Sequence, residues 1–508
     1  MTITEIPWST QADLPILAIL QLIPLAAMIT VLLFRSGRAV FQIGLGAAIL
    51  ELVVAIELYR HFDPAQPGLH FAEHLSLFGP LAYHAAVDGM SIIFILLAAL
   101  LTVLMVLYAP VRGLADLPRV MAVIFGVEAT VMSLFTTVDL LWFVLLSTVQ
   151  LILVGYMVWR WATSPEKNMA FTRFLQFMGT GLLLLFIGTI MLGWNHHDVT
   201  GGRWTFDLLE LAQVKVKPEF ASVVFFLLFY GFAVRTPLFP FHGWLPLVAE
   251  HGSVSLGPVF LLGLKTGIYA MLRFIFPLLH DAVMEWHVYV IAFAVAGIFY
   301  AALLAMMQNN LRRLLAFAVV SHTSILVIGL FSLNHLAFQG SVLLSVNFGL
   351  AITTLLFMAG LVYRRTNTLL LSRLGGLFDR IPLLGIVFFV AGLSIVGMPG
   401  TPGFDSAHLV MEAAMERFGA LTTIAAALGN VVAAGFLLWA FQRAFLSQQP
   451  EGVRYSVIEK TSGLEKLVAV LMLLTLLVAG FESEPMMVLV DKSFVGLEAL
   501  YSSTTGGH

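Results

Sequence analysis

The sequence predicts an all-α polytopic membrane protein, and three observations indicate that fold class. Hydrophobic residues make up 60% of the 508 positions and charged residues only 11%, whereas soluble domains are about 25% charged. The apolar residues fall into long runs, and about 20 such residues cross a bilayer as a helix. The 41 Phe and 9 Trp suit aromatic belts at the two membrane surfaces. We therefore expect lipid around most of the chain.

About 14 transmembrane helices are predicted by this length rule. The polar segment 1–13 lacks the basic start and small-residue cleavage site of a signal peptide, so the first helix is expected to remain. The spans lie near residues 13–34, 39–59, 88–109, 118–137, 139–159, 171–193, 219–241, 253–276, 287–307, 313–333, 337–362, 382–417 (broken), 419–445 and 464–482.

Basic residues mark one side of the predicted membrane domain. They cluster in the connections after spans 1, 3, 5, 9 and 11, as Arg35, Arg38, Arg112, Arg119, Arg160, Lys167, Arg173, Arg312, Arg313, Arg364, Arg365, Arg373 and Arg380. Lys and Arg in short loops favour the cytoplasmic side, so we expect both termini outside. The connection 195–219 carries Arg203, Lys215 and Lys217 on the opposite side, but long loops influence topology little.

Two predicted spans contain helix-breaking residues. Span 7 runs into the Pro- and Gly-containing segment 236–243, and span 12 runs into 397–403. Broken backbone at membrane depth is tolerated only where protein or a watery cavity covers it. The breaks are five spans apart, which predicts two inverted five-helix repeats of the kind found in ion-coupled transporters. We predict N-terminal helices in 1–112, the repeats in 113–278 and 279–446, and helix 14 with a tail in 447–508.

Composition excludes several functions. No cysteine is present, which excludes disulfides, thiolate metal sites, iron–sulfur clusters and cysteine nucleophiles. The net charge is −3 and no basic tract occurs, so no nucleic-acid partner is expected. The Gly-rich pieces follow no predicted strand, which argues against a nucleotide or flavin site.

Three charged residues lie inside long apolar runs: Glu128 in span 4, Arg235 just before the break in span 7, and Lys265 in the middle of span 8. A charge at the bilayer centre costs a few kcal/mol or more and usually lies on an ion path. A buried lysine gains and loses a proton readily because burial lowers its pKa, whereas arginine stays charged. These residues therefore predict a proton path, with a purely structural charge cluster as the alternative.

Histidines and acids elsewhere in the spans are further candidates. His242 and His322 are predicted to relay protons, or else to form helix-to-helix hydrogen bonds. Asp405, His408, Glu412 and Glu416 follow the second break on one helix face, as an outward exit or a wetted surface. His408 and Glu412 have a metal-ligand spacing, but one helix supplies too few ligands. The sequence His196-His197-Asp198 is expected to be solvated.

Specific motifs resemble the antiporter-like membrane subunits of complex I (NADH–quinone oxidoreductase), closest to the M or chain-4 type. The resemblance extends over about residues 70–445. It implies a fold of 14 helices with two inverted repeats, and proton conduction along a central hydrophilic axis. The motifs that carry the resemblance are residues 83–91, 233–246, 264–269, 310–316 with 320–322, 374–377 and 399–404.

By position, Lys265 corresponds to the family's central span 8 lysine, Arg235 stands at its span 7 lysine, and Glu128 matches a span 4 glutamate. The Trp-Glu usual in span 5 is absent, and Glu128 is expected to replace that glutamate as partner of Arg235. Asp405 and His408 are possible replacements for the span 12 glutamate. The departures from the family pattern are Ser147-Thr148, Leu247, Ala249, Asn347-Phe348-Gly349 and Ser406-Ala407-His408.

The resemblance implies a proton-conducting subunit, without a catalytic site of its own, in a multi-subunit complex of an energy-transducing membrane, here the bacterial inner (plasma) membrane. The departures favour an inorganic-carbon (CO2/bicarbonate) accumulation complex. Its partner would be a large carbonic-anhydrase-like subunit holding zinc, with no cofactor or metal in this chain. One alternative is a proton-pumping subunit of a complex I variant, membrane hydrogenase or cation/proton antiporter complex. Another is a non-conducting scaffold that docks a catalytic partner.

Overall fold

Helices dominate the structure, a computed structural model that describes residues 4–34, 36–79, 81–254, 256–449 and 459–502. Arg35 of the predicted basic set and the end of the predicted tail lie outside these residues. In chain order the α-helices are α1 Ile16–Leu33, α2 Gly37–His61, α3 Gly89–Arg112, α4 Leu117–Thr136, α5 Leu140–Arg160, α6 Lys167–Thr200, α7 Leu208–Leu211, α8 Pro218–Arg235, α9 Leu245–His251, α10 Leu256–Leu262, α11 Thr266–Ala270, α12 Phe276–Leu278, α13 His280–Met306, α14 Leu311–Leu330, α15 His335–Thr366, α16 Pro382–Val396, α17 Gly403–Phe418, α18 Ala420–Phe441, α19 Gly463–Phe481, α20 Glu484–Asp491 and α21 Val495–Ser502.

The membrane fold predicted from the sequence is confirmed. In the described ranges, 13 helical segments are long and apolar enough to cross a membrane. The remaining predicted span is the shorter helix α16 followed by α17. Two π-helical segments, Met271–Ile275 and Gln442–Leu446, extend α11 and α18. The most enclosed spans are α15, whose most apolar stretch is 100% buried, and α14 and span 8 (Leu256–Leu278), whose most apolar stretches are each 94% buried.

Short polar side chains begin several spans. Asp88 accepts a hydrogen bond from the backbone N–H of Ser91 at the start of α3, and Asp139 does the same for Trp142 at the start of α5. Asn310 and Asn334 cap α14 and α15 in the same way. Each cap satisfies one of the free backbone donors of a helix N-terminus and contributes about 1 kcal/mol.

Within the described ranges three spans are discontinuous, one more than predicted. The predicted breaks are present between Arg235 and Leu245 and between Val396 and Gly403. The third interrupts span 8, where α10 ends at Leu262 and α11 begins at Thr266. This segment contains no proline, so its sequence predicted a continuous helix.

A small three-stranded sheet departs from the all-helical prediction. Strand β1 Glu5–Pro7 pairs in parallel with β2 Leu69–Phe78, which pairs antiparallel with β3 Leu81–Val87. The C-terminal helices lie on the same side of the membrane domain, since the Leu489 carbonyl packs against Gly89 directly after β3. We call this side the sheet face.

The predicted basic loops meet on the opposite side, here called the basic face. The guanidinium groups of Arg112 and Arg312 lie 5.2 and 5.3 Å from the ring centre of Tyr363. Arg364 donates a hydrogen bond to the carbonyl of Val111. Loops after spans 3, 9 and 11 therefore come together, as the charge bias predicted.

Candidate functional site

Lys265 lies in the break of span 8. Its backbone is left-handed, with φ of 46°, and only 2% of the residue is exposed. Its Nζ donates a hydrogen bond of 2.7 Å to Oγ1 of Thr323 on α14 and lies 4.5 Å from the ring centre of Phe348 on α15. In the described residues, the ammonium pairs with no carboxylate within 4.0 Å and is held by a hydroxyl and an aromatic face. The aromatic face attracts the ammonium, whereas the hydroxyl accepts a hydrogen bond from the ammonium and from the neutral amine alike.

Arg235 lies at the neighbouring break, as the last residue of α8. Its guanidinium donates hydrogen bonds to the amide oxygen of Gln150 on α5 and, over 3.2 Å, to Oγ1 of Thr266. Thr266 directly follows Lys265, so the two cations belong to adjoining helix breaks. Two neutral partners leave the positive charge of Arg235 without a counterion in this part of the structure.

Glycines allow the broken segments to approach each other. A side chain at Gly267 would collide with Oγ1 of Thr236, next to Arg235. A side chain at Gly349 on α15 would collide with the backbone carbonyl of Gly263, inside the break that holds Lys265. These close contacts fix the two breaks against each other and against α15.

We expect Gly349→Ala to destabilise the protein by about 1–3 kcal/mol or more, because the added methyl group meets backbone that cannot rotate away. The matched control is Gly179→Ala on α6, where an added Cβ finds no atom within 4 Å. Thermal unfolding of both variants in detergent measures the difference. Equal melting temperatures would show that the contact between α15 and the break does not constrain the fold.

The polar groups continue from Lys265 towards span 12. His322 precedes Thr323 on α14, is 4% exposed, and its ring centre lies 5.5 Å from that of Phe348. Asn347 donates hydrogen bonds to the carbonyl of Pro402 at 2.5 Å and to Oγ of Ser406 at 3.2 Å. The site therefore reaches the second predicted break.

These side chains follow one another from span 5 to span 12, and α5, α8, α11, α14, α15, α17 and the break of span 8 contribute them. We call it the central polar axis. It consists of Gln150, Arg235, Lys265, Thr266, His322, Thr323, Asn347 and Ser406.

The expected pairing of Glu128 with Arg235 is wrong. Glu128 is fully buried on α4, and it lies close enough to Glu51 on α2, also fully buried, for the two carboxyl groups to interact electrostatically. None of the four carboxylate oxygens has a hydrogen-bond partner within the described structure. Arg235 instead contacts Gln150, a neutral residue on the same helix as the missing glutamate. Two neighbouring buried carboxylates without a cation are tolerated only if at least one of them is protonated.

The other predicted residues lie away from Lys265. His242, 6% exposed, is surrounded by the rings of Phe239, Tyr300 and Phe317, and its Nδ1 has no hydrogen-bond partner among the described residues. Asp405 accepts a hydrogen bond from Ser483.

Three further residues of α17, named with Asp405 as a possible exit, have exposed side chains. Glu416 accepts a hydrogen bond of 2.7 Å from Asn334, and the exposed set is His408, Glu412 and Glu416. His196 was expected to be solvated but is 5% exposed and bonded to the Arg203 carbonyl. The structure thus brings His322 to Lys265 and leaves His242, Asp405 and His408 apart from it.

A buried ion pair near the sheet face was not predicted from the sequence. Nη2 of Arg273, in the π-helical segment of span 8, lies 2.8 Å from Oδ1 of Asp88 and 2.8 Å from Oγ of Ser91. Arg273 is 6% exposed and Asp88 is 7% exposed. The available signal was an arginine within the apolar run that ends span 8.

A second unpredicted cluster lies in the sheet. The buried imidazole of His84 lies between the carboxylates of Glu5 and Asp207. Burial opposes the charged imidazole, but hydrogen bonds and charge from Asp207 and Glu5 outweigh it and raise the pKa of His84 to about 9. The same imidazole lowers the pKa of Asp207 against the effect of burial. Three distant stretches of sequence supply these groups.

The fold and the site define a class of protein: a polytopic membrane protein with broken helices and a row of buried ionisable side chains, as in ion-translocating subunits. A family model described as "NADH:quinone oxidoreductase/Mrp antiporter, TM" matches residues 137–433. The chain belongs to this family. It is an antiporter-like, proton-translocating subunit that works with other subunits in a membrane complex of the complex I or Mrp type.

Known relatives agree with this assignment. Subunit M of NADH-quinone oxidoreductase from Rickettsia prowazekii is 27% identical over 86% of this chain and 89% of its own length. Chain 4 of NAD(P)H-quinone oxidoreductase from Synechococcus elongatus is 30% identical over 88% of this chain and 83% of its own. A chain of respiratory complex I from Thermus thermophilus with bound NADH superposes with a TM-score of 0.83 and 26% identity, covering 96% of this chain and 98% of that chain.

Proposed function

We propose that this chain moves protons along the central polar axis, with Lys265 as the group that takes up and releases each proton. The observation that carries this proposal is the position of Lys265 in a helix break, where Thr323 and Phe348 hold its amine without a counter-carboxylate. Such a group changes charge without breaking an ion pair. The remaining steps follow from its neighbours.

Arg235 has a different role in this proposal. Arginine keeps its proton at physiological pH, so it acts through its fixed positive charge on the adjoining break. Gln150 and Thr266 orient the guanidinium without neutralising it. In this proposal the fixed charge of Arg235 lies at the break that adjoins Lys265, and His322, next to Thr323 on α14, offers the next proton acceptor.

The partner complex is proposed to accumulate inorganic carbon in the bacterial inner membrane, through a large zinc-dependent, carbonic-anhydrase-like subunit. The support is the departure from the family pattern at the axis, where Gln150 contacts Arg235 in place of a span 5 glutamate and Asn347 stands in the family's Ser-His-Gly motif. A proton path with different residues fits a complex that is driven by a different reaction from that of complex I.

Purification of the native complex through a tag on this chain tests which partner subunit the chain binds. We expect a large co-purifying subunit that contains zinc, and uptake of labelled bicarbonate by membrane vesicles that stops when a protonophore collapses the gradient. Recovery of a zinc-free redox partner with quinone reductase activity would overturn the carbon assignment and favour the complex I variant.

Substituting Glu128 by Gln separates a conductor from a non-conducting scaffold. The change preserves size but removes one titratable group from the buried pair with Glu51, so we expect normal assembly and loss of proton flux in vesicles. Glu57→Gln on the partly exposed side of α2 is the control and should leave flux unchanged. Unchanged flux in the Glu128 variant would show that Glu128 is not on the proton path. Absence of proton flux in vesicles with the wild-type complex, or loss of assembly in the Glu128 variant, would favour the scaffold.

A further inference from the structure

We propose that Glu5, His74 and His84 form a zinc-binding site on the sheet face, apart from the central polar axis and independent of the proposed transport. The ligand atoms of these three residues all lie within 4.8 Å of one another. Two imidazoles and a carboxylate are a ligand set that zinc binds with a fourth position left for water.

Strand pairing brings the ligands together. His74 on β2 lies directly opposite His84 on β3 in the antiparallel register, which places the two side chains on the same side of the sheet. Their rings stack with centres 3.5 Å apart. Strand β1 runs alongside β2 and brings the carboxylate of Glu5 to both rings, 2.5 Å from Nε2 of His84 and 3.6 Å from Nε2 of His74.

The surroundings of His84 match those of a metal ligand. Its Nδ1 is bonded to the carboxylate of Asp207, which leaves Nε2 directed at Glu5 and His74. A second carboxylate on the far nitrogen of a ligating histidine fixes its tautomer and orients its ring. Asp207 is held in turn by the backbone N–H groups of Leu209 and Glu210.

Exposure gives an ion access to the site. The side chain of His84 is 1% exposed, whereas those of Glu5 and His74 are 25% and 57% exposed. The ion would therefore have a rigid, buried ligand on one side and solvent on the other. Nitrogen ligands favour zinc over calcium and magnesium, which prefer oxygen.

Zinc titration of the purified full chain, stripped with EDTA and placed in competition with a chromophoric chelator, tests the proposal. We expect one zinc ion per chain. His74→Ala should weaken binding by more than the ~10–100-fold expected of Asp207→Asn, because it removes a ligand and not a support. Cobalt in place of zinc should give the absorption of a tetrahedral site, lost in His74→Ala.

His61→Ala is the matched control, since His61 is an exposed histidine at the end of α2 on the same face. His74 is exposed, so its loss should leave folding intact, and equal melting temperatures of the zinc-free variants check this. Zinc should raise the melting temperature of the wild type and of His61→Ala only. Equal zinc affinity in His74→Ala and wild type would mean adventitious binding and overturn the site, whatever the transport assays show.

Discussion

Lys265→Arg is expected to abolish proton translocation while the protein still assembles. Arginine keeps the positive charge and the length of the side chain but does not release its proton. Removing a group that takes and gives a proton costs about 100-fold or more in rate. Proton flux into vesicles containing the purified complex, followed with a pH-sensitive dye, measures the effect.

Two further variants complete this experiment. Lys265→Ala should fail to the same extent, because both substitutions remove the exchangeable proton. Lys217→Arg makes the same chemical change at an exposed position on the sheet face and should translocate normally. Flux close to the wild-type level in Lys265→Arg would show that only the positive charge is needed, and the assigned role of Lys265 would be wrong.

Asp88→Ala is expected to destabilise the protein by about 3–5 kcal/mol, the largest stability effect that we predict. It leaves the guanidinium of Arg273 buried without a counterion, because Ser91 and Tyr269 offer only hydroxyl groups. Equilibrium unfolding in increasing SDS measures the loss. The same change at Asp379, an exposed residue, should have little effect.

The role of Asp88 as a helix cap can be measured separately. Asp88→Asn keeps a capping side chain for α3 but removes the charge, so its deficit relative to wild type reports the ion pair alone. The double variant Asp88→Leu with Arg273→Met should be more stable than Asp88→Ala, since no buried charge remains. A double variant as unstable as the sum of the single changes would contradict a coupled pair.

The sequence predicted the spans well because each is a long apolar run, and such a run can be recognised without knowledge of the tertiary structure. It predicted two breaks because proline marks them, in 236–243 and 397–403. The break in span 8 was missed because no proline lies at 263–265. That break depends on contacts made only in the folded protein, where α15 brings Gly349 against the carbonyl of Gly263.

Charged residues of the site were easier to find than their partners. Lys265 and Arg235 stand out in apolar runs, and both lie at helix breaks on the central polar axis. The partner of Arg235 was predicted wrongly, because a neutral residue such as Gln150 is inconspicuous beside a glutamate. The sheet-face cluster could not be found at all, since strand pairing brings together residues 5, 74, 84 and 207.

The half of span 8 nearer the sheet face is fastened at three points. Arg273 is paired with Asp88, Tyr269 donates a hydrogen bond to the Phe135 carbonyl, and Tyr501 donates one to the Phe276 carbonyl. These contacts oppose translation of span 8 along its own axis when a proton arrives. We therefore expect motion linked to turnover to be a local rotation about the unwound turn at Lys265. Hydrogen–deuterium exchange during transport should increase at that turn and stay low in the anchored half.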